Sequence, residues 1–118
     1  KKLHRSDKMG LFGKKKDEKN VSFRREMAKK IASHRLRYVS ERQGDTDVII
    51  SKGGEMHIKD GMFCVSSGIE YGAATVFRCE VDKLTSSELM SLEGAILEGF
   101  DQILGKQRKI IVYYVYYR

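Results

Sequence analysis

The chain has no proline, only two cysteines in 118 residues, and no long apolar run. The last absence excludes a membrane-spanning helix, which needs ~18–20 consecutive apolar residues. The lack of proline leaves every candidate strand free of that breaker. Cys64 and Cys79 form no C-x-x-C unit and have no histidine at finger spacing, so neither a zinc knuckle nor a disulfide framework is indicated. Both lie in apolar runs and read as reduced packing residues, since a free thiol packs as a small hydrophobe. A bond between them would need an oxidising compartment, and no signal peptide points to one. The cytoplasm is the expected location.

Catalytic signatures are missing too. There is no G-x-S-x-G, and Ser66-Ser67-Gly68 reads as a turn. Gly10-Leu11-Phe12-Gly13-Lys14 has the wrong glycine spacing for a phosphate loop, and no strand precedes it. His4, His34 and His57 share no metal-ligand spacing. Asp45/Asp47 and Glu80/Asp82 sit at i, i+2 and read as solvated strand-end acids. No catalytic residue, metal set or cofactor is therefore expected, although an enzyme without a recognisable motif stands as an alternative.

What the chain does have is segregated positive charge. Residues 1–42 hold 15 Lys and Arg against 5 Asp and Glu, a net of +10, and residues 43–118 hold 8 against 11, a net of −3. Such a split points to an anionic partner for the leading third. Residues 1–20 are lysine-rich and without apolar periodicity, and read as a basic flexible arm. Met9-Gly10-Leu11-Phe12-Gly13 followed by three lysines reads as a natural start, with residues 1–8 upstream of it.

Residues 21–42 read as a helix. Phe23, Met27, Ile31, His34 and Tyr38 recur at spacings of four and three, with Asn20 or Ser22 as N-cap and Gly44 as stop. The period then changes. Asp47–Ile50, Glu55–Lys59 and Met62–Ser66 read as short strands, with Gly53-Gly54 and Asp60-Gly61 as tight turns between them. In Thr75–Val81, Phe77, Cys79 and Val81 alternate with polar neighbours, as in a half-buried antiparallel strand.

Residues 85–105 admit two readings. Thr85-Ser86-Ser87-Glu88 resembles a capping box ahead of a helical stripe, but Gly94 and Gly99 would each cost such a helix about 1 kcal/mol. Strands near Leu89–Leu92 and Ala95–Asp101 are preferred, because the β-branched and aromatic run 109–118 needs an antiparallel neighbour. The second of these would turn at Leu104–Lys106 into the last strand. With both faces apolar, that last strand should lie centrally or be covered by the helix. The expected fold is α+β: an N-terminal helix packed on an antiparallel sheet of six to seven strands, a meander curling toward a barrel, within a single domain over 21–118.

The candidate anion-contacting residues are Lys14, Lys15, Lys16, Lys19, Arg24, Arg25, Lys29, Lys30, Arg35 and Arg37. No helix-turn-helix, zinc-finger or RNP-like pattern accompanies them, so sequence-specific nucleic-acid reading is not expected. Leu11 and Phe12 beside three lysines suit weak contact with an anionic leaflet. Alternation places Tyr114 and Tyr116 on one face of the last strand as an interface candidate, against Tyr113 and Tyr117 on the other. The expected role is a non-enzymatic binding or adaptor module for a protein partner or an anionic surface, membrane or nucleic acid. Weak sequence-independent nucleic-acid binding is the alternative.

Overall fold

Among the described residues seven strands follow one helix in chain order, and every paired strand is antiparallel. The structure is a computed structural model that describes residues 20–69 and 72–115. The helix, α1, covers 20–32. The strands are β1 Leu36–Gln43, β2 Thr46–Lys59, β3 Met62–Ser67, β4 Thr75–Glu80, β5 Thr85–Glu88, β6 Gly94–Asp101 and β7 Lys106–Tyr114. They form one sheet in the order β4-β3-β2-β1-β7-β6-β5. The last strand is central, flanked by β1 and β6. This is the expected α+β fold of about seven strands, curled into a half-barrel.

The helix is shorter than its apolar spacing suggests. Ser33 donates its hydroxyl to the Lys30 carbonyl at 2.7 Å, and the His34 N–H closes a tight turn onto the Ile31 carbonyl. A serine that bonds back into the last turn competes with the helical ladder. Residues 36–42, expected as helix, instead belong to β1. Ala28 and Ile31 bury completely, whereas Phe23, expected on the docked stripe, is exposed.

Gly53-Gly54 is not a hairpin turn. β2 runs through both glycines for 14 residues, and Gly54 pairs with Leu36 on one side and Ser67 on the other. Gly54 has φ +140°, and a Cβ there would collide with the Ser66 carbonyl. The pair bends one long strand so that the sheet can curl, a recurrent use of glycine inside strands. Asp60-Gly61 is a true two-residue turn, both residues having positive φ.

The four residues resembling a capping box form β5, and the strand expected near Leu89–Leu92 is a tight loop in which the Leu92 N–H bonds to the Leu89 carbonyl.

The concave face holds the core. Val39, Phe63, Val65, Phe77, Leu97, Ile110 and Val112 are fully buried there, with Ala28 and Ile31 of α1 and Leu84 filling the opening. Burying side chains of this size contributes about 1.5–3 kcal/mol each. Cys79 lies opposite Phe63 on the concave side, while Cys64 lies opposite Arg78 on the other face, so neighbouring strands hold two free thiols pointing apart. Burial pushes the Cys79 thiol up to about 11.

The curl brings edge strand β4 against the β6 end of the sheet. The Gln102 N–H donates to the Arg78 carbonyl at 2.8 Å, and a Cβ on Gly99 would lie 2.5 Å from the Cys79 sulfur. Close approach there requires glycine.

Candidate functional site

The polar centre of the molecule is a buried triad at the point of closure. Arg108 belongs to β7 and shares its inner phase with Ile110, Val112 and Tyr114. It donates through Nε and Nη2 to both Glu41 carboxylate oxygens, each at 2.8 Å, and through Nη1 to Asp101 at 3.0 Å and the Val76 carbonyl at 2.6 Å. The guanidinium thus ties β1, β4 and β6 together in the fork geometry that arginine alone supplies. The Arg108 hydrogen bond holds the Glu41 carboxyl below its ordinary range against the opposing effect of burial. Burial raises the Asp101 carboxyl, but the N–H groups of Arg78, Leu104 and Ile103, together with Arg108, outweigh it and leave a net lowering.

Both carboxylates are therefore ionised at neutral pH and already engaged, and with the one guanidinium they leave the triad a net charge of −1. The triad closes the sheet: Asp101 and Arg108 take up Val76 C=O and Arg78 N–H, which an edge strand would otherwise expose.

Asp101 also builds the β6–β7 tip. Its carboxylate accepts from Ile103 N–H at 3.1 Å and Leu104 N–H at 2.9 Å, and its carbonyl accepts from Gly105 N–H at 2.9 Å. With Gln102 N–H on Arg78, all four N–H groups of the turn are satisfied internally. On this rigid tip stand Phe100, Ile103 and Leu104, exposed by 52, 42 and 56%.

Of the ten basic candidates, Lys14, Lys15, Lys16 and Lys19 lie outside the described residues. The structure does not gather the rest into one patch. Arg25 forms two hydrogen bonds to the Asp82 carboxylate, and Arg24 donates to the Asp82 carbonyl. Lys30 pairs with Glu88 at 2.7 Å and Arg35 with Glu55 at 3.4 Å. Arg37 lies 5.1 Å from the Tyr38 ring centroid. Lys29 is exposed on α1. Arg35 and Arg37 are not helical at all. The helix bases thus largely serve to hold α1 against β5 and the 3-10 turn Val81–Lys83, with the modest value of surface pairs.

The tyrosine expectation is corrected. Tyr114 is buried, stacked on His34 with ring centroids 3.8 Å apart, so it belongs to the core. Tyr113 faces the opposite side, stacked on Tyr38 at 4.4 Å. Tyr116 lies outside the described residues. Burial pushes the Tyr114 hydroxyl up to about 12, and among the described residues that hydroxyl has no hydrogen-bond partner. Removing it in Tyr114→Phe should therefore raise stability by about 1 kcal/mol, since an unsatisfied buried polar group costs ~1–3 kcal/mol. Denaturant melts of the two proteins check this, and a less stable variant would show that the hydroxyl has a partner.

Two open clefts border these features. One, of 460 Å³, lies between the β1–β2 and β6–β7 hairpins and is lined by Arg42, Gln43, Lys106 and Lys109 with Glu41 and Arg108. The other, of 660 Å³, is lined by Arg35, Gly53, Glu55 and Ser66 among others. Among the described residues no group of three or more His, Cys, Asp or Glu side chains is placed to hold a metal ion. No helix among them is long and apolar enough to cross a membrane.

Comparison with protein-family models, with curated proteins and with solved structures finds no match for this chain.

Proposed function

We propose that the protein is a non-enzymatic binding module whose basic N-terminal segment meets an anionic surface while the sheet body contacts a partner. What carries the reading is where the charge is spent. Arg25, Lys30, Arg35, Arg42, Lys83 and Arg108 each pair with an acid. Residues 20–118 also carry a net charge of only +2. Residues 1–19 hold eight Lys and Arg against three Asp and Glu, a net of +5 of the chain's +7. The anion-contacting set is therefore best centred on Lys14, Lys15, Lys16 and Lys19 rather than on the helix. A chain that is nearly neutral over most of its length and strongly basic at one end is steered end-on to negative surfaces.

The test is binding of the full chain to anionic vesicles, duplex DNA and single-stranded DNA across a salt series. Binding should weaken as salt rises. Lys14→Glu, Lys15→Glu and Lys16→Glu together should weaken vesicle binding roughly a hundredfold, at ~1 kcal/mol per basic residue near an anionic leaflet. Salt-independent binding, or an unchanged triple variant, would overturn the reading. Preference for either nucleic acid would move the function to that class.

A further inference from the structure

The β6–β7 tip combines three properties, of which the exposure of its apolar side chains is the one the folding of the sheet does not require. Phe100, Ile103 and Leu104 are large, apolar and roughly half exposed on one hairpin end. The turn beneath them has spent every N–H: Gln102 on the Arg78 carbonyl, Ile103 and Leu104 on the Asp101 carboxylate, Gly105 on the Asp101 carbonyl. Finally, the exposed charge at its base is positive. Arg78 and Lys106 are exposed and make no ion pair among the described residues, whereas the acid of the turn, Asp101, is fully buried. Glu98 stands further up β6, directly opposite Lys109.

Because every backbone N–H of this turn is already bonded, none has to be desolvated unpaired when the tip is covered. An apolar, hydrogen-bond-poor medium with negative charge at its boundary suits the tip. Unsatisfied N–H groups are what normally keeps a loop out of such a medium.

We propose that the β6–β7 tip is a bilayer-docking wedge. Phe100, Ile103 and Leu104 enter the boundary between headgroups and acyl chains of an anionic membrane, while Arg78 and Lys106 meet the headgroups. The proposal rests on the anionic-surface reading above and names its target as a lipid bilayer. It also supplies the second, apolar signal that a basic segment needs for stable association.

The chain contains no tryptophan, so a single Leu104→Trp substitution gives a clean reporter. With vesicles of phosphatidylcholine and phosphatidylserine, its emission should move to shorter wavelength and be quenched by lipids brominated on their acyl chains. With phosphatidylcholine alone, the shift should be much smaller. In the full chain, Phe100→Ser, Ile103→Ser and Leu104→Ser together should weaken vesicle binding at least about tenfold while leaving its salt dependence in place.

Arg78→Glu with Lys106→Glu is the second variant, since it leaves the apolar side chains intact, and it too should weaken binding. An unshifted tryptophan, or a serine variant that binds like the parent, would overturn the wedge. In either case salt-dependent vesicle binding would survive if the basic-segment reading is right. A tryptophan that shifts only in the presence of a purified protein partner would overturn the wedge in favour of a protein-docking tip.

Discussion

An Arg108→Met variant is expected to lose about 3–5 kcal/mol of stability, because it strips the counter-charge from two buried carboxylates. Arg108 and Asp101 side chains are 5% and 0% exposed, and Glu41 only 10%. A loss of that size is a large part of the 5–15 kcal/mol that holds a typical domain together. The thermal midpoint should fall by more than about 12 °C. Glu41→Gln made in the Arg108→Met background should recover part of the loss, since it removes the stranded charge.

The pH profiles of parent and variant should run in opposite directions. In the parent, Glu41 and Asp101 have lowered folded-state values. The stability they contribute is complete above the ordinary carboxylate range, about 4, and is lost as the pH falls through the folded-state values. In the variant, Glu41 keeps its burial without its partner, so its folded-state value rises above the unfolded one. That contribution is present at low pH and is lost as the pH rises. Between about pH 7 and pH 5 the parent should hold steady while the variant gains stability. Thermal melts across that range measure it, and parallel profiles would show that Glu41 finds another partner or leaves the core.

How much of this was legible in the chain depends on phase. The run from Ile110 to Tyr114 announces a central strand by composition alone, and the structure places it between β1 and β6. The Asp60-Gly61 turn and the helix over 21–32 are equally readable, while the turn expected at Leu104–Lys106 lies at 102–105. The triad was not, although a signal for it existed. Arg108 sits in step with Ile110, Val112 and Tyr114, and Asp101 in step with Ala95, Leu97 and Gly99. A charged residue in phase with core positions is either an error or a buried pair. Starting the last strand at Lys109 cut that signal off.

Glu41 was hidden differently. Ile31, His34 and Tyr38 have helical spacing, and no glycine or proline marks the break at Ser33, so β1 read as a continuation of α1. The Gly53-Gly54 bend misled for a related reason: positive φ serves a tight turn and a curled strand equally well, and what decides is Gly54's contact with Ser66, 12 residues ahead. The pairing of helix bases with Asp82 and Glu88 is likewise a tertiary fact, invisible to a count of charges along the chain.

Asp101→Asn should be far from conservative, and its effect should reach the tip. The side chain accepts four hydrogen bonds: from Arg78 and Ile103 N–H through Oδ1, and from Leu104 N–H and Arg108 through Oδ2. An amide keeps one acceptor oxygen and replaces the other by a donor. Whichever way it is turned, two donors then face an N–H₂ group. Hydrogen bonds to charged groups contribute about 1.5–3 kcal/mol, so a loss of roughly 3 kcal/mol is expected.

Because Asp101 closes β4 onto β6 and also orders the turn, the two consequences can be separated by amide hydrogen exchange. If the Asn oxygen stays with Arg78 and Ile103, the Leu104 amide should lose protection first. The β1–β7 amides should keep theirs until global unfolding, since local opening and global stability are distinct. Uniform loss of protection across all strands would mean that Asp101 acts on the whole sheet and the tip has no independent order. Faster exchange confined to the tip, together with weaker vesicle binding, would tie the rigidity of that turn to docking. An apolar side chain on a loose loop must be ordered again each time it inserts, and its released N–H groups must be desolvated.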